Sequence, residues 1–384
     1  MKIVFWVGVG WLFYVYAGYP VALWLLSWFR DVHPTTSDEL PTVTVLISAR
    51  NEEKDIEWKV RQTLQWNYPA DKLQVLVASD ASEDRTDELL QSIHDARFQF
   101  VRMPERVGKN SALNRLARLA TGELLFFTDA NSDIDADCLR RMVRHFSDGR
   151  VGCVTGVEEN SSGENAAALS TGGNTYLGYE STINRLESQL GSVLVCDGSI
   201  FCMRRSLYSD LRPELANDLE LPLRVGHAGA WVLFEPSARS REHATLSARE
   251  EFFRRKRICG QGIIGMWTLR GQLSGLRAWQ FFSRKLFRWF SLVPMVMIFV
   301  TSMALRNDRW FAGALALQFV FVALATIGWL TNWQGKKPGR VFALPFYFLL
   351  VNIGAVNGIV EAVLGRRFAV WDIANLSRGR QGAA

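Results

Sequence analysis

Long apolar stretches lie at the two ends of the chain. They cover residues 3–29, 289–305, 310–331 and 341–364, with Asp and Glu nearly absent. Each is close to the ~20 residues that an α-helix needs to cross a bilayer. The first is too long and too aromatic for a cleavable signal and has no small-residue cleavage site, so the pattern predicts a retained N-terminal anchor. Three further spans are predicted near the C-terminus.

The middle of the chain has a different pattern, in which short apolar runs end in polar residues. Residues 43–47, 73–78 and 124–127 are apolar runs with polar edges, and amphipathic helical patterns follow the first two. Repeated strand, polar edge and helix is typical of a doubly wound α/β sheet. The resulting domains are, in order, a transmembrane anchor (1–33), an α/β domain (41–249), amphipathic interface helices (250–288), a transmembrane region (289–364) and a basic tail (365–384).

Acidic and amide side chains directly follow the most apolar of these strands. Leu124 to Phe127 precede Asp129, Asn131 and Asp133. In open α/β sheets ligands bind at the carboxyl ends of the strands, so these residues are candidates to hold a divalent cation and a phosphorylated ligand. The alternative is that Asp129 and Asn131 only cap a helix that begins near Asp135.

Charge is concentrated where the α/β domain meets the apolar C-terminal region. The formal net charge is +6, and this predicts contact with anionic lipid head groups. A nucleic-acid partner is disfavoured, because the aromatic residues lie beside a predicted span and not in a separate basic groove. Five cysteines without paired spacing favour free thiols. The basic residues are Arg249, Arg254, Arg255, Lys256, Arg257, Arg270, Arg277, Arg284, Lys285 and Arg288.

The common nucleotide-binding loops are absent from the sequence, which contains neither GxGxxG nor GxxxxGK[ST]. This disfavours a dinucleotide-binding Rossmann site and a P-loop. Six segments instead resemble, in order, the motifs of the family 2 glycosyltransferases, and in particular their membrane-integrated branch of polysaccharide synthases and glycolipid transferases. They are VTVLISARNEE, ASDASEDRTDE, RVGKNSALNRLARLATGELLFFTDANSD, DGSIFCMRRSLY, NDLELPLRV and EFFRRKRICG.

This resemblance implies a GT-A fold with a mixed sheet and transfer of a sugar from a nucleotide diphosphate sugar, UDP-linked in our hypothesis, with inversion at the anomeric carbon. The donor would contact the ends of the first two strands, the lysine of the GK segment, the metal site and the arginine-rich segment. The matching residues are Arg50, Asn51, Glu52, Asp80, Lys109, Asp129, Arg254 and Arg257. Helix capping is the alternative role at the strand ends, and simple exposure the alternative for Lys109.

The resemblance also assigns the metal, the base and the acceptor side. Asp129 and Asn131 match a metal site that would hold Mg²⁺ or Mn²⁺, with an amide in place of the second acid. Asp218 matches the catalytic base, and capping of the helix that follows is its alternative role. The Asp197-Gly198-Ser199 segment matches the acceptor side. No zinc site is predicted at His227 or His243.

The hypothesis is a multi-pass enzyme of the inner (plasma) membrane with a cytoplasmic catalytic domain. It would act on a lipid-linked or growing polysaccharide acceptor in cell-surface glycan synthesis, with polysaccharide-export proteins as candidate partners. Ile258 replaces a tryptophan that processive relatives carry, which favours a glycolipid transferase that adds one sugar. A scaffold that binds a nucleotide sugar without catalysis is the alternative from another class.

The predicted topology contains a conflict. A cytoplasmic catalytic domain with one span before it and three after it leaves both termini outside, yet Arg366, Arg367, Arg378 and Arg380 favour the cytoplasm for the tail. A predicted span that is re-entrant or interfacial would resolve this conflict.

Overall fold

A computed structural model describes residues 1–161, 168–243, 247–366 and 368. The strands of its α/β domain are β1 (Val43–Ala49), β2 (Leu73–Ser79), β3 (Phe98–Arg102), β4 (Leu124–Asp129), β5 (Asp133–Ile134), β6 (Val151–Ser161), β7 (Phe201–Arg204) and β8 (Trp231–His243). Its helices are α3 (Ile56–Leu64), α4 (Thr86–Gln91), α5 (Lys109–Leu119), α6 (Cys138–Val143), α7 (Ala168–Gln189) and α8 (Asn217–His227). The prediction of a mixed α/β sheet is confirmed.

The eight strands form one sheet in the order β3-β2-β1-β4-β7-β6-β8-β5. The first four in space are parallel, and β7 pairs antiparallel with both β4 and β6. The chain reverses its winding direction beside β1 and β4, so the loops after these strands border the same crevice. Asp129 therefore lies at the centre of the sheet's carboxyl edge, where the sequence predicts a ligand site.

The apolar strand β4 has its two faces buried in separate cores. Leu124 and Phe126 pack with β1, β2, α3 and α6, whereas Leu125 and Phe127 pack with α5, β7 and α8. The Phe127 ring stacks on that of Phe201, with their centroids 4.4 Å apart. Burial on both sides explains the continuous apolar run that predicts this strand.

The remaining helices connect this domain to the apolar part of the chain. They are α1 (Lys2–Phe13), α2 (Tyr19–Ser27), α9 (Ala248–Thr268), α10 (Gly275–Gln280), α11 (Phe287–Trp289), α12 (Leu292–Ala304), α13 (Arg309–Trp333) and α14 (Arg340–Val363). Two π-helical turns, Tyr14–Gly18 and Phe281–Leu286, join α1 to α2 and α10 to α11. They face each other, since the Tyr14 hydroxyl lies 2.7 Å from Ser283 Oγ.

Three continuous helical segments are long and apolar enough to cross a membrane: Lys2–Ser27, Arg309–Trp333 and Arg340–Val363. The predicted span at 289–305 differs, because α12 has 13 residues and therefore covers only about 20 Å. It counts as a fourth candidate only together with Gly275–Trp289, to which it is joined at a 56° bend. The basic tail lies outside the described residues from 369 onward.

The prediction that the basic residues face lipid is wrong for four of them. Arg284 pairs with Glu180 and Glu187 at 2.6 Å each, and Arg288 pairs with Glu180. Arg255 pairs with Glu251 at 2.7 Å, and Lys256 pairs with Glu361 at 2.5 Å. Because charges removed from water need partners, these cations bind carboxylates between the domain and the apolar helices.

Candidate active site

Two neighbouring loops at the edge of the sheet brace each other. Arg50 Nη1 donates to the carbonyls of Asp80 and Ala81 at 2.7 and 2.8 Å. Asn51 has a positive φ of 56°, and its side-chain oxygen accepts from Glu83 N at 2.8 Å. The amide N–H of Glu52 donates to Thr86 Oγ1 at 2.8 Å. The structure therefore brings the predicted donor residues Arg50, Asn51 and Glu52 to one edge, where they hold its loops together.

Asp80 fixes the loop that carries the predicted donor lysine. It is almost fully buried, and its carboxylate accepts from the backbone N–H groups of Val107 at 2.7 Å and Gly108 at 2.9 Å. Gly108 has a φ of 86°, which a residue with a side chain rarely adopts. The helix α5 starts at the next residue, so Asp80 determines where Lys109 begins its path into the crevice.

Lys109 and Asp129 form an ion pair at the carboxyl end of β4. Burial lowers the pKa of Lys109, but the Asp129 carboxylate raises it, and the result lies above the usual range. Asp218 and Arg257 also act on this amine. Residues from four distant parts of the chain therefore form one charged cluster, consisting of Lys109, Asp129, Asp218 and Arg257.

The predicted base lies in the first turn of α8. Burial raises the pKa of the Asp218 carboxyl above its ordinary value, Lys109, Lys285 and Arg257 oppose this, and Asp129 adds to it. The helix begins after Ala216, which makes no side-chain capping bond, and the same holds for Asp137 before α6. Among the described residues, Asp218, Asp129 and Asn131 therefore cap neither helix.

The predicted acceptor segment lies against this base. A Cβ atom at Gly198 would stand 3.6 Å from Asp218 Oδ2. Asp197 Oδ1 accepts from Ser199 N at 2.9 Å and from Ser199 Oγ at 2.6 Å, which closes a tight turn. The backbone amide of Asp197 donates to Thr155 Oγ1 at 2.8 Å. The structure thus places Gly198 beside the Asp218 carboxylate, while Asp197 shapes the turn that holds Gly198.

The two arginines predicted to reach the donor have different surroundings on α9. Arg254 lies 3.5 Å from Glu158 on β6. Arg257 is within the electrostatic influence of Asp218 and Asp129, and burial and the charge of Arg254 hold its pKa below the usual range. Arg257 is therefore a member of the charged cluster, whereas Arg254 is held by a carboxylate at its margin.

The ligands available for a metal are few. Asp129 is one-third exposed and Asn131 is exposed. Asp133, the third predicted ligand, accepts a hydrogen bond from Gln62. Within the described part of the chain, no three His, Cys, Asp or Glu side chains gather as a metal site. One carboxylate and one amide oxygen fit a hard cation that takes its other ligands from phosphate and water.

The sequence analysis did not identify Lys285 as a site residue. It was counted with the lipid-facing cations, but its charge acts on Asp218. Phe281 and Trp289, four residues before and after it, pack with Leu219 of α8 and Cys259 of α9. The only available signal was this spacing, which places Lys285 on the packed side of its helix.

The fold and the charged cluster define a GT-A type of protein, and the comparisons identify the family. Residues 44–212 match the family described as Glycosyl transferase family 2, in agreement with the motifs of the sequence. The predicted family is confirmed for this part of the chain.

Curated relatives agree with this family. A probable glycosyltransferase, YdaM of Bacillus subtilis (strain 168), is 29% identical over 216 residues, which are 52% of this chain and 50% of the relative. The poly-beta-1,6-N-acetyl-D-glucosamine synthase of Staphylococcus aureus (strain COL) is 27% identical over 209 residues, with the same coverage. The chain spans about half the length of these curated relatives.

A solved structure shows the same fold over most of the chain. The mannosyltransferase PcManGT from Pyrobaculum calidifontis, solved in complex with GDP-Man and Mn²⁺, aligns with 92% of this chain and 99% of its own length. The TM-score is 0.68 at 19% sequence identity. This similarity in fold extends beyond the α/β domain into the apolar helices.

Proposed function

We propose that the protein is a membrane-bound inverting glycosyltransferase. It transfers a sugar from a nucleotide diphosphate sugar to a lipid-linked or glycan acceptor in cell-surface glycan synthesis. The observation that carries this proposal is the position of Asp218, which lies beside Gly198 and within the electrostatic influence of Lys109, Asp129 and Arg257. A base beside an acceptor turn and opposite an anion site is the arrangement that the reaction requires.

In this reaction Asp218 takes the proton of the acceptor hydroxyl while that oxygen bonds to the anomeric carbon. The bond from this carbon to the diphosphate breaks, and the nucleoside diphosphate leaves with the electron pair. Lys109 and Arg257 offset the negative charge that develops on it. A divalent ion at Asp129 and Asn131, Mg²⁺ or Mn²⁺, would neutralise further diphosphate charge when bound. Attack from the Asp218 side inverts the anomeric configuration.

The surroundings of Asp218 support an acceptor that approaches from the membrane. Lys285 belongs to the bent helix pair that includes α12, and its charge acts on Asp218. The candidate spans support location in the inner (plasma) membrane. Because nucleotide sugars are made in the cytoplasm, the catalytic domain belongs on that side. Polysaccharide-export proteins remain candidate partners.

A transferase that adds a single sugar to a glycolipid is the second candidate. Ile258, next to Arg257 on α9, occupies the position where processive relatives carry tryptophan. A non-catalytic scaffold is the third candidate, but the charged cluster opposes it. Binding a nucleotide sugar does not require a carboxylate with a raised pKa that faces the acceptor turn.

The test is release of nucleoside diphosphate by the detergent-purified chain from UDP-, GDP- and dTDP-sugars, with native lipids and with or without Mn²⁺ or Mg²⁺. We expect turnover of one donor that requires metal and falls ~10² to 10⁴-fold in Asp218→Asn. Asp71→Asn is the matched control, because Asp71 is exposed at the opposite edge of the sheet.

The outcomes separate the candidates. Nucleotide binding without turnover in the presence of native membrane extract would support the scaffold. Product size separates a polymer from a single addition. Equal rates for Asp218→Asn and the parent protein would exclude Asp218 as the base.

A further inference from the structure

A cavity of about 200 Å³ lies where the first candidate span joins the α/β domain. Its lining includes Arg30, Arg277, Ser192, Ser274, Gly226 and Trp231. Gly226 is near the end of α8, eight residues from Asp218, or about 12 Å along the helix. The cavity is therefore separate from the charged cluster of the candidate active site.

Two like charges face each other in this cavity. The positive charge of Arg30 acts on Arg277, and no carboxylate does so among the described residues. Within the same residues, neither guanidinium lies within 4 Å of a carboxylate. Arginine is always protonated at physiological pH, so the repulsion cannot be relieved by loss of a proton. This contrasts with Arg284 and Arg288 on the same helical segment, which bind glutamates.

Gly226 makes room for the Arg277 guanidinium. A Cβ atom at position 226 would stand 2.1 Å from Nε and 2.4 Å from Cζ of Arg277. Any side chain there would displace the guanidinium from the cavity wall. The end of α8 is therefore shaped to receive this side chain, although none of the described residues that line the cavity is an anion.

The cavity lies at the level where head groups meet protein. Arg30 follows the end of α2 at Ser27, and the intervening Trp28 and Phe29 are 65% and 87% exposed. Exposed aromatic residues at the end of a span are typical of the membrane interface. Arg277 belongs to the helix that leads into α12, the other connection to the apolar part of the chain.

We propose that Arg30 and Arg277 form a binding site for a phosphate group, separate from the active site, that takes the head group of an anionic membrane phospholipid. Guanidinium groups bind phosphate oxygens in paired hydrogen bonds. The cavity volume is several times the ~30 Å³ that one water occupies in the liquid, so a phosphate fits. The bound lipid would hold the first span against the catalytic domain.

The experiment measures thermal unfolding of the full chain in nanodiscs of phosphatidylcholine, with and without phosphatidylglycerol. In a second series, thermal unfolding is compared in inorganic phosphate and in chloride at equal ionic strength. The variants are Arg30→Gln and the matched control Arg115→Gln, an exposed arginine on α5 outside the cavity. Lipid retained by the purified protein is counted by native mass spectrometry.

The expected result is that the difference in unfolding temperature between Arg30→Gln and the parent changes sign when anionic lipid is added. Without phosphatidylglycerol or phosphate, Arg30→Gln should unfold at a higher temperature than the parent, by roughly 1 °C or more, because the repulsion is relieved. With phosphatidylglycerol, the parent should gain stability while Arg30→Gln gains little and retains at least tenfold less lipid. Arg115→Gln should follow the parent in both conditions.

Stabilisation by phosphatidylglycerol alone supports a site for the lipid head group, and stabilisation by inorganic phosphate as well supports a site open to soluble phosphate. Equal lipid retention and equal stabilisation of Arg30→Gln and the parent would overturn the proposal. Gly226→Ala gives an independent check that leaves the charge unchanged. It should lose the same lipid, and full retention would contradict the role of the cavity.

Discussion

Gly198 lies so close to Asp218 that a Cβ atom in its place would stand 3.6 Å from carboxylate oxygen Oδ2. This is an ordinary van der Waals distance, so a methyl group fits without disturbing the fold. It would, however, occupy space beside the oxygen that takes the acceptor proton. The substitution Gly198→Ala can therefore show whether Gly198 acts in acceptor binding or only in the fold.

Gly198→Ala should lower sugar transfer at least about tenfold, the result of ~1.4 kcal/mol lost in the transition state. The acceptor KM should rise while the nucleotide affinity stays unchanged. Transfer assays over a range of acceptor concentrations and nucleotide titration by calorimetry measure the two quantities. Gly149→Ala is the control, because Gly149 has open space around its Cα. Unchanged transfer in Gly198→Ala would remove Gly198 from the acceptor site.

The pH dependence of the rate should report the surroundings of Asp218. Burial raises the pKa of its carboxyl above the ordinary ~3.9 of aspartate. Because the base must be ionised, kcat/KM should fall with decreasing pH through a pKa higher than that value. Arg257 opposes the rise, so Arg257→Gln should move this acid limb to higher pH and lower the rate. Rate profiles between pH 4 and 8 measure the shift.

Arg270→Gln serves as the control for this profile, since it removes the same charge from an exposed position. Its acid limb should coincide with that of the parent. An acid limb that moves to lower pH in Arg257→Gln would contradict the electrostatic influence of Arg257 on Asp218.

The sheet was predictable from sequence where its strands are buried on both faces. Val43 to Ile47 and Leu124 to Phe127 are continuous apolar runs, and this follows from packing against a core on each side. The strands β6 and β8 carry polar residues and pair across more than 70 residues of chain. Their partners depend on tertiary contacts, which periodicity does not report.

The candidate site likewise has features that the sequence predicts and features that depend on tertiary contacts. The motifs around Asp129 and Asp218 predict their chemistry, but not that Asp80 binds the backbone of Val107 and Gly108. The basic pattern equally predicts lipid contact for Arg284, whereas its partner Glu187 lies 97 residues earlier in the chain. The sequence gives the charge of each residue, but it does not identify the residue with which that charge forms an ion pair in the folded protein.

The ion pair of Lys109 with Asp129 should compete with a metal for the same carboxylate. Lys109→Met should therefore tighten Mn²⁺ binding in the absence of nucleotide by roughly tenfold, or ~1.4 kcal/mol. The measurement is titration of free Mn²⁺ by electron paramagnetic resonance. Lys54→Met, at an exposed lysine, should leave the affinity unchanged. Weaker Mn²⁺ binding in Lys109→Met would show that Lys109 supports the metal site and does not compete with the ion.

The buried pairs between α7 and the Phe281–Leu286 turn should make a large contribution to stability. Glu187 is fully buried, accepts from Arg284 at 2.6 Å and accepts from the Tyr19 hydroxyl at 2.5 Å, so it links the first candidate span to the α/β domain. Glu187→Gln leaves Arg284 buried beside one fewer carboxylate, and such a loss costs about 3 to 5 kcal/mol. The thermal unfolding temperature in detergent should drop clearly for Glu187→Gln, while that of Glu105→Gln, at an exposed glutamate, should not change.

Adding Arg284→Met to Glu187→Gln should recover part of the loss, because the uncompensated cation is removed. A double variant that is less stable than the sum of both single changes would contradict direct coupling of the two charges.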